Sequence, residues 1–393
     1  PCYLPSTASA FDAAISMTRE HIAHLCVVDD GRLVGVVSER DLFALQRVDL
    51  VHLPRAISQA ENIVSLVALR RDIHHLVDSM LAYGASAAQV THIITLLNAY
   101  TTQRVIELCL AESGQPGVEF TWIAFGSEGR REQTLSTDQD NGILFQPRPG
   151  QDSAEVRARL LPLAKRINQA LAECGFPLCK GNIMASNPEL CLSRDEWRER
   201  FRRMIDSAVP ENLLRSSIYF DMRPIWGDHQ TVQALYREVV QAASRDGVFL
   251  RLLAANTLRT RPPTGLFRDF IVQRDARNQG TLDLKLQGLS LIVDGARVLA
   301  LENRIAEPGT LERFDALARR GAIDALDARA WKEAFTLIQL LRMRNHRSQA
   351  RAGQPLSNRL DPDTLSEPDR RGLKEAFRQI RRLQLHLELH FNL

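Results

Sequence analysis

At 393 residues, with 45% hydrophobic and 25% charged residues, the chain has material for two or three globular domains. A net charge of +3 is too mild to mark a nucleic-acid binder. The longest apolar runs, such as residues 63–69, fall well short of the roughly 20 residues a membrane helix needs. No secretory signal is visible, and six scattered cysteines without a Cys-x-x-Cys pair read as reduced thiols, which points to the cytoplasm. The chain begins at Pro1 with no Met, which reads as a piece of a longer protein.

Residues 1–49 read as a compact α/β unit. A short helical pattern runs from Ala8 to Met17, and His24 to Asp29 is a strand. Asp30-Gly31 supplies hairpin turn chemistry before a returning strand, Leu33 to Val37, and a second helix begins over 39–46. The stretch Val27 to Leu42 resembles the second half of a CBS domain, the adenine-nucleotide-sensing module. The resemblance implies that Gly35, Ser38 and Asp41 stand near phosphate and ribose of a regulatory nucleotide; the alternative is a purely structural or dimerising element. CBS domains work in pairs and one copy is visible here, which fits half of a pair and a truncated N-terminus; because CBS elements commonly pair, the resemblance also implies a homodimer.

Residues 50–113 form a helical connector, with apolar spacing at Ile63, Val67, Ile73, Leu76, Val77, Met80 and Leu81. Gly84-Ala-Ser86 interrupts the pattern, a second helix covers Ala88 to Ala111, and Gly114-Gln-Pro-Gly117 breaks it.

Residues 114–235 read as mixed α/β and hold the most informative motif. An apolar run, Phe120 to Phe125, enters a Gly126-Ser127 turn; Asp138 and Asp140 follow, and then Ile143-Leu-Phe145. On a strand, Asp138 and Asp140 point to one face because side chains alternate with period two. Two such carboxylates are hard oxygen ligands of the kind Mg²⁺ takes together with substrate phosphates. The turn offers backbone N–H groups to phosphate, and Arg130 and Arg131 add positive charge beside it. This suits metal-assisted attack on a nucleotide α-phosphorus, with pyrophosphate leaving. A second Asp-x-Asp, Asp361-Pro-Asp363, has no upstream Gly-Ser and reads as a surface turn.

From 236 to 393 the chain reads as a helical bundle. Leu282, Leu286, Leu289 and Val293 mark one helix face; Trp331, Phe335, Ile338 and Leu341 mark another. Ser366-Glu-Pro-Asp369 is a helix start. Arg344, Arg347 and Arg351 share a helical face that is either solvated or turned to phosphate. His386 and His390 read as ordinary surface or packing residues rather than a zinc pair.

The run Gly126 to Asn141 resembles the DNA-polymerase-β-type nucleotidyltransferases, and within them the PII-uridylyltransferase-like branch that couples CBS or cyclic-nucleotide-binding domains to a nucleotidyltransferase. Gly175 to Ala185, Tyr219 to Arg223 and Gly227-Asp228 are similar to the same branch; Asp283-Leu-Lys285 and Asp294-Gly-Ala-Arg297 resemble its helical substrate-binding domain. The resemblance implies an α+β chain: a partial CBS unit, the helical connector, a polymerase-β-type α/β domain and a C-terminal helical bundle. It further implies that Gly126, Ser127, Arg130 and Arg131 hold the triphosphate of an NTP and that Asp138 and Asp140 bind Mg²⁺ or Mn²⁺. Active members carry a third carboxylate; Asp221 is the candidate here, or else the ion-pair partner of Arg223 or a nearby Arg. The implied reaction moves a nucleoside monophosphate onto an acceptor such as a PII-type signalling protein, under control of the CBS element. The alternative is a catalytically silent nucleotide sensor.

Overall fold

The computed structural model describes all residues except 1, 9, 21, 40, 42–51, 83, 208–216, 265–269 and 276–277. The helix expected over 39–46 therefore lies largely outside the described residues. The fold is α+β, with small sheets and a helical C-terminal region.

At the N-terminus, β1 (Tyr3–Leu4) pairs in parallel with β2 (His24–Asp29), and β2 pairs antiparallel with β3 (Arg32–Ser38). The turn between β2 and β3 has positive φ at both Asp30 and Gly31, at 49° and 76°. That is the backbone hand matching strand twist, and an Asp-Gly pair supplies it at little strain. Helix α1 (Ala10–Arg19) buries Ala14 and Met17 beneath this sheet.

Three connector helices follow: α2 (His52–Ser58), α3 (Ile63–Ala82) and α4 (Ala87–Ser113). Helix α4 starts with a reciprocal cap, Ser86 accepting from the Gln89 amide while the Gln89 side chain accepts from the Ser86 amide.

The central sheet has strand order β6-β5-β4-β7, from β4 (Phe120–Ala124), β5 (Asn141–Phe145), β6 (Cys191–Ser193) and β7 (Arg223–Trp226). Strand β5 runs parallel to β6, and β4 is antiparallel to both β5 and β7. Every residue of β4 and β5 is buried, so this sheet is covered on both faces. On one face Trp122, Ala124, Ile143 and Phe145 join the connector helices and α6 (Ser153–Glu173) in one core. On the other, Ile123, Phe125 and Leu144 join α7 (Arg194–Asp206), α8 (His229–Ala243) and the C-terminal helices in a second core. Trp197 is fully buried there, and its indole N–H donates to the Ile143 carbonyl at 2.9 Å, so its polar atom is satisfied. A fully buried ring of this size stabilises by about 3 kcal/mol.

The C-terminal region holds α9 (Gly247–Thr257), α10 (Ser290–Glu302), α11 (Thr310–Arg319), α12 (Ala325–Arg351) and α13 (Glu367–His390). Ser366 caps α13, accepting from the Asp369 amide, as its sequence implies. One expectation is corrected here. The helix face expected from Leu282 to Val293 is split: β9 (Asn278–Asp283) pairs with β8 (Gln273–Asp275) and with β10 (Arg359–Leu360), a π-turn covers Lys285–Leu289, and α-helix begins only at Ser290. Leu282 and Leu284 are both buried, one from the strand and one at the turn. Their two-residue spacing belongs to the strand period, which the coincident helical spacing of 282, 286 and 289 masked. Asp361 caps a short 3₁₀ turn over Pro362–Thr364, the surface role its loop composition implied.

Candidate active site

Strand β4 ends against the sharp turn α5 (Gly126–Gly129). Gly126 has φ of 56°, and a Cβ there would sit 2.9 Å from Ile218 and 3.3 Å from an Asp140 carboxylate oxygen. Gly129 leaves no room at all: its Cβ would lie 1.9 Å from the Asp221 carbonyl oxygen. Both glycines are therefore required by geometry. The Phe125 amide donates to the Asp140 carbonyl at 2.8 Å, which ties the turn to the acidic segment.

Asp138 and Asp140 do not lie within a strand, as the sequence reading expected; β5 begins at Asn141, one residue later. The alternation nonetheless holds: Asp138 is exposed, Gln139 buried and Asp140 half-buried. Gln139 points inward and anchors the segment, donating to the carbonyls of Asn168 at 2.9 Å and Phe176 at 2.8 Å. Asn168 returns a bond to the Gln139 side chain at 2.7 Å and another to Asn141 at 3.0 Å. Asn141 also accepts from the Ala185 amide at 2.8 Å. This closed amide network is fully buried, so it fixes the two carboxylates from behind. Sequence reasoning missed it, because Gln and Asn carry no signal until their partners from α6 and the 175–187 loop are in place.

Burial pushes the Asp140 carboxyl up to about 6; Asp138 adds to the rise, while Cys179, Lys285 and Arg130 oppose it. The Cys179 thiol lies 3.5 Å from Asp140. Glu128, in the same turn, is raised to about 7 by burial and by Asp140, against the pull of Arg223. Two oxygen-donor side chains plus substrate phosphates form a donor set that magnesium accepts. Among the described residues no three His, Cys, Asp or Glu converge on one possible metal position.

Asp221 stands elsewhere. It is 0% exposed, and its oxygens meet Arg130 at 2.6 Å, Arg297 at 2.5 and 3.0 Å, and Arg313 at 2.8 Å. Its carboxylate is occupied by the arginines, the alternative that the sequence left open. Arg130 is correspondingly turned away from a phosphate role: it bonds Glu132 at 2.7 Å as well as Asp221. Arg131 adopts φ of 62° and lines a cavity with His92, Glu312 and Gln339. The arginine face of α12 is paired too, Arg344 with Asp369 and both Arg347 and Arg351 with Asp78. His386 and His390 stack, and His390 meets Glu302 at 2.7 Å.

In the N-terminal unit, Ser38 and Asp41 are brought together: the Ser38 hydroxyl and amide donate to one Asp41 oxygen at 2.6 and 2.9 Å. Those bonds, the hydroxyl first, lower the Asp41 pKa. Gly35 lies on β3 with open space where a side chain would be.

His346, on α12, is 1% exposed, and burial with Arg342 nearby lowers its pKa to about 4. It is neutral when folded and takes up a proton near pH 6.5 when unfolded. Stability should therefore fall as pH drops from about 6.5 to about 4, by about 3 kcal/mol in full. Melting curves across that range should show this limb, and His346→Gln should flatten it.

Residues 71–211 match the family model described as "Putative nucleotidyltransferase DUF294". Residues 247–391 match "Putative nucleotidyltransferase substrate binding domain", and residues 1–47 match "CBS domain". A comparison with curated proteins gave no match. No helix among the described residues is long and apolar enough to cross a membrane. In chain order, the N-terminal unit is thus similar to a CBS domain, the central region to the DUF294 model and the C-terminal region to the substrate-binding model described with it.

Proposed function

We propose that the chain transfers a nucleoside monophosphate from an NTP to an acceptor hydroxyl, that the acceptor is a small signalling protein of the PII type, and that the CBS element regulates the transfer. The observation that carries this reading is the tie between the Gly126-Ser127 turn and the Asp138–Asp140 segment, closed by the 2.8 Å Phe125–Asp140 bond. Mg²⁺ or Mn²⁺ held by Asp138 and Asp140 would neutralise charge on the phosphates. The acceptor oxygen forms a bond to the α-phosphorus, the α–β bridging bond breaks, and pyrophosphate leaves. Glu128 is the base this reading assigns. Its pKa near 7 suits it to accept the hydroxyl proton at neutral pH, and it lies beside Asp140. Gly126 and Ser127 present the turn to phosphate, and Ser38 and Asp41 with Gly35 would meet an adenine nucleotide in the CBS element.

A second reading, a catalytically silent nucleotide sensor, is favoured by the ion-paired state of Asp221. The test is incubation of the protein with each α-labelled NTP, Mg²⁺ or Mn²⁺, and a PII-type protein. Labelled acceptor with stoichiometric pyrophosphate is expected. Tight nucleotide binding with neither product would overturn transfer in favour of the sensor.

A further inference from the structure

The cations that the sequence assigns to phosphate are largely spent elsewhere. Arg130 is neutralised by Glu132 and Asp221, and Arg344, Arg347 and Arg351 are paired with Asp369 and Asp78. Two other cations are not. Lys285 and Arg342 make no ion pair with any described residue, and both come from the C-terminal region.

Lys285 opens the π-turn between β9 and α10. Its backbone is fixed by Asp283, whose carboxylate accepts from the amides of Lys285 at 3.0 Å and Leu286 at 2.8 Å. The neighbouring Leu284 amide donates to the Asn358 carbonyl at 3.0 Å, which ties the turn to the segment before β10. The side chain is open to solvent yet walled closely enough that burial lowers its pKa. Asp138 and Asp140 lie near enough for their charges to act on it.

Arg342 is only 6% exposed. Its Nε donates to the Asn358 side chain at 2.6 Å, while its terminal nitrogens make no hydrogen bond to a described residue. Burial lowers its pKa to about 10; Asp283 is the nearby carboxylate that opposes the shift, and Arg130 adds to it. A nearly buried guanidinium without a carboxylate in contact is costly unless an anion completes it. His346 is neutral beside this pair and does not supply that anion. Lys285 and Arg342 therefore form a two-cation subsite joined at Asn358, which accepts from both the Leu284 amide and Arg342, with Lys285 within reach of the charges of Asp138 and Asp140. Such a subsite takes phosphate oxygens, and its guanidinium suits bidentate contact.

We propose that Lys285 and Arg342 bind the outer phosphates of the nucleoside triphosphate, so that the substrate itself bridges the nucleotidyltransferase domain and the C-terminal domain. This rests on the nucleotidyl-transfer reading for the identity of the ligand, and it moves the phosphate-binding cations away from Arg130 and Arg131.

The test uses the whole chain and two probes, inorganic tripolyphosphate and an NTP analogue with a methylene between the α- and β-phosphorus. Binding of both by calorimetry should weaken about tenfold or more in Lys285→Met and in Arg342→Met, with a shallower salt dependence. Lys285→Arg should restore most of the loss, and binding of the matching nucleoside monophosphate should not change. Because Lys285 is solvent-accessible, Lys285→Met should melt as the wild type does, which separates the effect from misfolding. Wild-type-like binding of tripolyphosphate by Lys285→Met would overturn the subsite, even if transfer to an acceptor is observed. Tripolyphosphate binding that depends on Lys285, in a protein that transfers no nucleotide, would leave the subsite standing and remove the enzymatic reading instead.

Discussion

Asp138→Asn is expected to lower nucleotidyl transfer by about 10³-fold or more while leaving the melting temperature within a degree or so of the wild type. The two halves of that expectation have separate causes. Asp138 is exposed, and its carboxylate makes no hydrogen bond or ion pair with a described residue, so its loss disturbs no packing. What it supplies is negative charge next to Asp140, on the side of the segment opposite the buried Gln139. An amide keeps the shape and removes the charge. If cation binding and charge neutralisation at the phosphates drive the reaction, losing half of the carboxylate pair removes about 4 kcal/mol of transition-state stabilisation. Single-turnover measurement with a labelled NTP checks this. Full activity in Asp138→Asn would remove the proposed mechanism, since Asp140 alone is half-buried and its pKa is raised to about 6.

The features legible in the sequence are those whose cause is local. Asp30-Gly31 sets a hairpin from two residues, Ser366 starts a helix from four, and the Gly126 to Asp140 run carries its own turn and its own acids. Strand β2 spans His24–Asp29 as its composition predicts, and α12 contains the Trp331 to Leu341 stripe. What the sequence concealed depends on partners far along the chain. Lys285 lies about 145 residues beyond Asp140, and nothing in Asp283-Leu-Lys285 states that its charge comes within reach of those acids. Asn168 and Gln139 are two ordinary amides until the helix and the loop meet. Arg342 differs from Arg344 by two positions on one helix, a rotation of about 200°. That rotation separates a nearly buried cation near Lys285 from one paired with Asp369. Helical spacing identifies faces, but only tertiary packing says which face meets the site.

Asp221→Ala should be the most destabilising of the substitutions considered, by about 4 kcal/mol, because one buried carboxylate holds three guanidiniums. Its removal is unequal among them. Arg130 keeps Glu132 and Arg297 keeps Asp294, both in short contact. Arg313 is left with the carbonyls of Glu307 and Phe220 and the Tyr236 hydroxyl, and no carboxylate. The cluster also joins two distant parts of the chain: Arg130 follows the Gly126–Gly129 turn, while Arg297 and Arg313 lie on α10 and α11. Glu132 adds a further tie, accepting from the Thr310 amide at 2.8 Å. Loss of Asp221 should therefore loosen the turn against the helical region, and activity should fall together with stability. A melting temperature lowered by about 10 °C is the expected reading. The pH dependence distinguishes this anion from an ordinary surface one. Burial alone would raise the Asp221 pKa, but Arg297, Arg313 and Arg130 outweigh it and hold the carboxyl far below the usual range near 4. The stabilisation is thus complete above pH 4 and is lost only as pH falls below it toward the folded-state value. The gap in stability between wild type and Asp221→Ala should stay constant from pH 5 to 8 and narrow under stronger acid. A gap that closes already between pH 7 and 5, or a variant as stable as the wild type, would show that the three arginines do not depend on this carboxylate.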